Sequence, residues 1–255
     1  MRQRTGLRKR EIAFAIGVGA LAAGGAALVL ADDDPTSAAV IAAPMTQQLA
    51  PFDRIATTGP QDLVVAIGEG HAVRAEGSPE SLEQFEWEVV NGSLAIRPTR
   101  GFGRFDWARF SDVTFHVTMP RLEALKLSGS GEARVDRVDG DAFEGAIEGS
   151  GELSIEDMRV DRADFSIAGS GSVAAAGAAR ETSVSIMGSG DVDADGLLSE
   201  IAEVRIAGSG DAALTVESEA RVSIMGSGDV DITGPARCSV SRAGSGEGRC
   251  NGSTD

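Results

Sequence analysis

Tyrosine is absent from this chain of 255 residues, and tryptophan and histidine occur twice each. Lysine appears only as Lys9 and Lys126, against 21 arginines. No aromatic residue follows Phe165, so the C-terminal part lacks the sugar-stacking surfaces that a glycan-cleaving groove needs. The histidines, His71 and His116, lie far in sequence from the serine-rich repeats described below, and no Ser-His-Asp triad can be assembled from them. Two cysteines, Cys238 and Cys250, are too few for a zinc module or a disulfide scaffold.

Basic charge is also scarce beyond the N-terminus. The net charge is −16, yet residues 1–31 carry +4 through Arg2, Arg4, Arg8, Lys9 and Arg10 against Glu11, which leaves −20 on residues 32–255. So acidic a body repels phosphate backbones, which excludes nucleic acid as a partner.

One long apolar run is present. Residues 12–30 (IAFAIGVGALAAGGAALVL) are nineteen uncharged residues directly after the basic cluster. The order of positive, apolar and small residues fits an export signal cleaved after Ala31. Nineteen residues also just span a bilayer, so an uncleaved N-terminal membrane anchor is the alternative reading. Both place Asp32 onward outside the cytoplasm, in the periplasm or at the cell surface. Residues 32–51 lack periodicity and hold three prolines, the composition of a flexible spacer.

Glycine is abundant, 33 of 255, and its placement is periodic. Gly-Ser-Gly begins at residues 129, 149, 169, 188, 208, 226 and 244, at intervals of 18 to 20 residues. Two residues before the first glycine stand Leu127, Ile147, Ile167, Ile186, Ile206 and Ile224, then Arg242. Four before it stand Leu125, Gly145, Phe165, Val184, Val204, Val222 and Val240. Six after it stand Val135, Ile155, Ala175, Ala194, Leu214, Ile232 and Cys250. Polar or small residues alternate with these columns, the period-2 pattern of a half-buried strand. A helix would be interrupted by glycines every twenty residues, each costing about 1 kcal/mol.

Each repeat therefore reads as two short strands joined by a glycine corner, with a return of variable length. One such unit cannot bury its own apolar face, so units must stack. The expected fold is all-β: a parallel β-helix-like solenoid of seven GSG coils over residues 121–255, right-handed by the rule for parallel crossovers. Residues 52–120 are expected to form an N-terminal β-hairpin cap region. Within it VVNGSLAI (89–96) is an Asn-Gly hairpin signal, and Ser78 and Pro79 start a short helical turn. At the other end Cys238 and Cys250 both fall in inward-pointing columns and are expected to form a disulfide in an exported protein. Two buried free thiols are the alternative.

Two sets of side chains are candidates for function. Residues 100–110 (RGFGRFDWARF) concentrate Phe102, Arg104, Phe105, Trp107, Arg109 and Phe110, a composition typical of binding hot spots. Such rings could also dip into a membrane interface or plug the open end of the solenoid. The second set is a column three residues after each first glycine, acidic in six of the seven repeats and including Asp191, Asp211 and Asp229, with Asp193 and Asp231 beside it. Stacked carboxylates repel, which makes bound calcium one candidate compensation. The simpler reading has each carboxylate accept hydrogen bonds from backbone N–H groups at the corners.

The GSG-acid-V recurrence, the stretch VVNGSLAI and then VTMPRLEALKLSGSG resemble the putative auto-transporter adhesin, head GIN domain family over approximately residues 52–250. The resemblance implies an all-β solenoid at the bacterial cell envelope, named for adhesion. It brings no catalytic or ligand residues to this chain. The chain departs from the family in lacking a lipoprotein cysteine and in its arginine-aromatic segment. A non-enzymatic adhesin or scaffold is the function expected, with an unidentified protein or surface ligand as partner. The alternatives are a carbohydrate-active β-helix enzyme and an envelope sensor or assembly platform.

Overall fold

The structure, a computed structural model, describes residues 49–99 and 113–251. Six strands and one helical turn come first: β1 (Arg54–Gly59), β2 (Asp62–Ile67), β3 (Ala72–Glu76), α1 (Pro79–Leu82), β4 (Phe85–Val90), β5 (Ser93–Pro98) and β6 (Thr114–Met119). The repeats follow as β7 (Ala124–Gly129), β8 (Glu132–Gly149), β9 (Glu152–Gly169), β10 (Ser172–Gly188), β11 (Asp191–Gly208) and β12 (Ala212–Gly226). The chain closes with β13 (Val230–Thr233), β14 (Arg237–Gly244) and β15 (Gly248–Cys250).

The repeats stack in parallel and in register. Ile147 pairs with Ile167, Ile167 with Ile186, Ile186 with Ile206, and Ile206 with Ile224. All five are buried, and each fully buried aliphatic side chain contributes about 1.5–3 kcal/mol. The corner glycines align in the same way, Gly149 with Gly169 and Gly169 with Gly188. Differences in repeat length are absorbed in the return, where β10 and β11 shift register between Ala174 and Gly177 and β11 and β12 between Ala194 and Leu198. The two legs that line the core are spared, because a one-residue slip there would turn the aliphatic columns outward.

Gly145 interrupts the Val and Phe column. A Cβ there would stand 3.0 Å from Leu153, 3.1 Å from Phe165 and 3.2 Å from Phe143. The two rings, both buried, lie 6.2 Å apart between centroids, and they occupy the volume a side chain at 145 would need.

The expected N-terminal elements are present, but most of them belong to the same stack. Asn91 and Gly92 take positive φ of 52° and 76° and join β4 to β5 as an antiparallel hairpin. Ser78 caps α1 with Pro79 at its first turn. Beyond these, β1 pairs in parallel with β7, placing Ile55 beside Leu125 and Gly59 beside Gly129, while β2 pairs with β8 through Leu63 and Ala133. β1 and β2 are thus the two legs of a further rung, with Gly59, Pro60 and Gln61 as its corner. A second such rung is made by β5 against β1 and β6 against β2. The chain lays down the β1–β2 rung, passes through β3, α1 and β4, adds the β5–β6 rung on the far side, and returns past the first to begin β7. Antiparallel β4 and β3 flank the outermost rung.

The last rung carries the disulfide, Cys238 to Cys250, twelve residues apart. Arg242, which replaces isoleucine in its column, is exposed.

Candidate functional site

The acid column lies where each rung leaves its corner and starts the second leg. Asp191 Oδ1 accepts the backbone N–H of Asp211 at 3.0 Å, Asp211 Oδ1 that of Asp229 at 2.7 Å, and Asp229 Oδ1 that of Glu247 at 2.8 Å. Asp62, at the same position after the Gly59 corner, accepts from Glu132 at 3.0 Å. Where the column holds Glu132, Glu152 or Ser172, the next amide instead donates to a corner glycine carbonyl: Glu152 to Gly131, Ser172 to Gly151 and Asp191 to Gly171. Chain length separates the two cases. The aspartate side chain has the length to reach the amide one rung on, and the longer glutamate and shorter serine are not used in that way.

Among the described residues no three His, Cys, Asp or Glu side chains form a group able to hold a metal ion. Asp193 accepts the amide of Asp195 at 3.3 Å, and Asp231 lies 3.8 Å from the Arg249 guanidinium. Asp191, Asp193, Asp211, Asp229 and Asp231 are strung along the stack, with Oδ1 engaged by an amide in four of them. Six or more converging oxygens, as calcium takes, are not supplied by this arrangement among the described residues. At the corner serines the ladder is mainly backbone, as in Ser170 N–H to Gly149 O at 2.8 Å, with Ser245 Oγ donating to Ser227 Oγ at 3.0 Å.

Many of the arginines pair with acids along or between neighbouring rungs. Arg134 meets Glu132 at 2.6 Å, Arg159 meets Asp157 at 2.9 Å, and Arg162 meets Asp164 at 2.8 Å. Residues two apart on a strand share a face, so these pairs follow directly from the sequence spacing. The hydrogen bond to Asp164 raises the Arg162 guanidinium above its ordinary value. Hydrogen bonds from Lys126, foremost, and from Ser128 hold the Glu148 carboxyl below its ordinary value. Exposed pairs of this kind contribute little individually.

A cleft of about 470 Å³ opens beside β8, lined among others by Arg54, Arg121, Glu123, Asp141, Glu144 and Asp164. Arg54 and Arg121 both pair with Glu123. No Ser, Cys, His or Lys lines it, so it has polar groups of both signs and no nucleophile beside a base. The histidines lie elsewhere. His71 Nε2 is 2.9 Å from the Phe52 carbonyl and its ring packs edge-on against Phe52, while His116 faces Glu76 at 3.4 Å.

Phe102, Arg104, Phe105, Trp107, Arg109 and Phe110 lie outside the described residues, as do residues 1–31. The strands that bracket the aromatic segment are described, and they show where it is inserted. β5 and β6 are the legs of the outermost rung, and the chain runs from one to the other through residues 99–113. Sequence reasoning missed both this insertion and Asp62. The columns Ile55, Gly59, Asp62, Leu63 and Val65 carry the repeat's spacing, but the corner reads Gly-Pro-Gln and stands 70 residues before the next one. No helix among the described residues is long and apolar enough to cross a membrane.

These features define an all-β solenoid protein whose repeated residues are engaged in holding the rungs together. The sequence matches the family described as putative auto-transporter adhesin, head GIN domain, over residues 51–236, and the chain belongs to that family. Its fold is shared with a putative adhesin from Bacteroides fragilis, at 17% identity and a TM-score of 0.73, covering 80% of this chain and 94% of that one. It is shared also with a putative lipid binding protein from Parabacteroides distasonis, at 21% identity and a TM-score of 0.65, covering 81% and 96%. A putative adhesin from Parabacteroides merdae matches at 18% identity and a TM-score of 0.65, covering 81% and 95%. No curated protein matches the sequence.

Proposed function

We propose that this is a non-enzymatic adhesin of the bacterial cell envelope, an acidic solenoid held outside the cytoplasm that presents residues 100–110 to a partner surface. The family membership over residues 51–236 carries the reading. Three further observations support it. The aspartates of the acid column are engaged by backbone amides of the next rung, the basic and apolar N-terminus has the order of an export signal, and residues 100–110 fall in the connection between the two legs of the outermost rung. A segment of that composition, joined to a stacked scaffold at both ends, suits recognition of a surface with little loss of scaffold entropy.

The test uses cells expressing the full chain or the chain lacking residues 100–110. Protease added to intact cells should remove the wild-type body. Adherence to immobilised mucin, to plastic and to other cells should depend on the chain and fall at least ~10-fold on the deletion, the scale of a lost hot-spot cluster. A chain protected from protease on intact cells, or adherence indifferent to both chain and segment, contradicts the proposal.

A further inference from the structure

The outer face of the legs that lead into the corners carries a pattern that the stack does not use. Directly before the corner glycines stand Ala168, Met187, Ala207, Met225 and Ala243, paired rung to rung in that order. All five are exposed, and Met187 and Met225, each 61% accessible, are the most exposed large hydrophobic side chains among the described residues. The next outward column is Ser166, Ser185, Arg205, Ser223 and Ser241. On a body of such net charge, ten outward positions with a single charged residue form a distinct patch.

From this alternation we infer that the patch is a docking surface for a second copy of the chain, laid face to face with its stack direction reversed. A two-fold axis parallel to the strands, passing between the rungs of Met187 and Ala207, places each methionine over an alanine. Met187 then meets Ala207 of the second copy, and Met225 meets Ala168. The same operation governs the third outward column, Asp164, Ser183, Glu203, Arg221 and Ser239. It sets Asp164 opposite Arg221, Ser183 opposite Glu203, and Ser185 opposite Arg205. Opposite charges meet and no like charges do. Moving the axis half a rung, onto Ala207, would place Arg205 over Arg205 and Glu203 over Glu203, and moving it a whole rung, to between Ala207 and Met225, would keep methionine over alanine but carry Asp164 past the end of the stack, so the first register alone sets every charge of these columns opposite a partner rung without a like-charge contact. Such self-complementarity is what an isologous interface requires.

Sheets packed this way sit about 10 Å apart, close enough for a methionine to fill the space above an alanine. The four rungs from Ala168 to Met225, which this axis exchanges with one another, and three outward columns give a patch of roughly 19 by 20 Å on each copy, the size of a weak and reversible interface.

Sedimentation velocity on the full chain in non-ionic detergent, over the micromolar range, tests the inference. The wild type should show a concentration-dependent dimer, and Met187→Asp with Met225→Asp should weaken it at least ~10-fold. Asp164→Arg alone should also weaken it, and Asp164→Arg with Arg221→Asp should restore it. All four side chains lie on the outer face, so the melting temperature reports whether each variant is folded. If the methionine variant unfolds, the charge exchange decides alone. A monomer at every concentration, a dimer indifferent to these substitutions, or a charge exchange that fails to restore association overturns the inference.

Discussion

Gly169 stands at φ +136° with its missing side chain aimed at the carbonyl of Gly149. Gly171 would bring a Cβ within 2.6 Å of Ile147 and against the Gly151 backbone. Gly70 also has positive φ, at 82°, but nothing lies within 4 Å of a Cβ there. Gly70→Ala should therefore cost only backbone strain, about 1 kcal/mol, while Gly169→Ala must also push rungs apart and should cost more than ~2 kcal/mol. Urea unfolding of the three proteins checks the order. The acid column makes a finer distinction. Asp211→Ala should cost ~1 kcal/mol and remove exchange protection from the Asp229 amide, whereas Glu152→Ala should leave the Ser172 amide protected. Hydrogen exchange followed by NMR reads both. The column was legible in the sequence as acidic. That aspartate alone bridges to the next rung was not, because the difference is one methylene measured against a rung spacing that only the stack provides.

At the scale of the element, the rung was legible because two independent periods coincide, alternation within each leg and recurrence every 18 to 20 residues. Burial of the isoleucine column and register shifts confined to the return follow from those periods. The β1–β2 rung escaped because its corner has proline and glutamine where the others have serine and glycine. The β5–β6 rung escaped because fifteen residues, 99–113, separate its legs in the sequence where a three-residue Gly-Ser-Gly separates those of the repeats. The antiparallel pairing of β3 against β6 depends on contacts between distant segments, which local pattern does not encode. The disulfide belongs to this scale, since it ties β14 to β15 across the final rung. Closing a loop of twelve residues restrains the unfolded chain by about 3 kcal/mol. Cys238→Ala should lower stability by that amount, and reduction of the wild type should lower its melting temperature to that of the variant. Equal melting with and without reductant would show that the tie contributes nothing.

For the whole molecule, stacking has one consequence that no single rung shares. Sequence distance and spatial distance become proportional along the repeats, one rung for each corner, whatever the length of the return. The aliphatic columns, the aspartate bridges and the methionine pattern all require this proportionality, and the proposed presentation of residues 100–110 needs the same scaffold beneath it. Spin labels at pairs of corner serines measure it directly by electron double resonance. Labels at Ser150 and Ser227 are four rungs apart and those at Ser130 and Ser245 six, so their backbone separations should be about 19 and 29 Å, a rise of ~4.8 Å per rung. Separations that fail to grow with the number of corners between the labels would contradict the stacked arrangement.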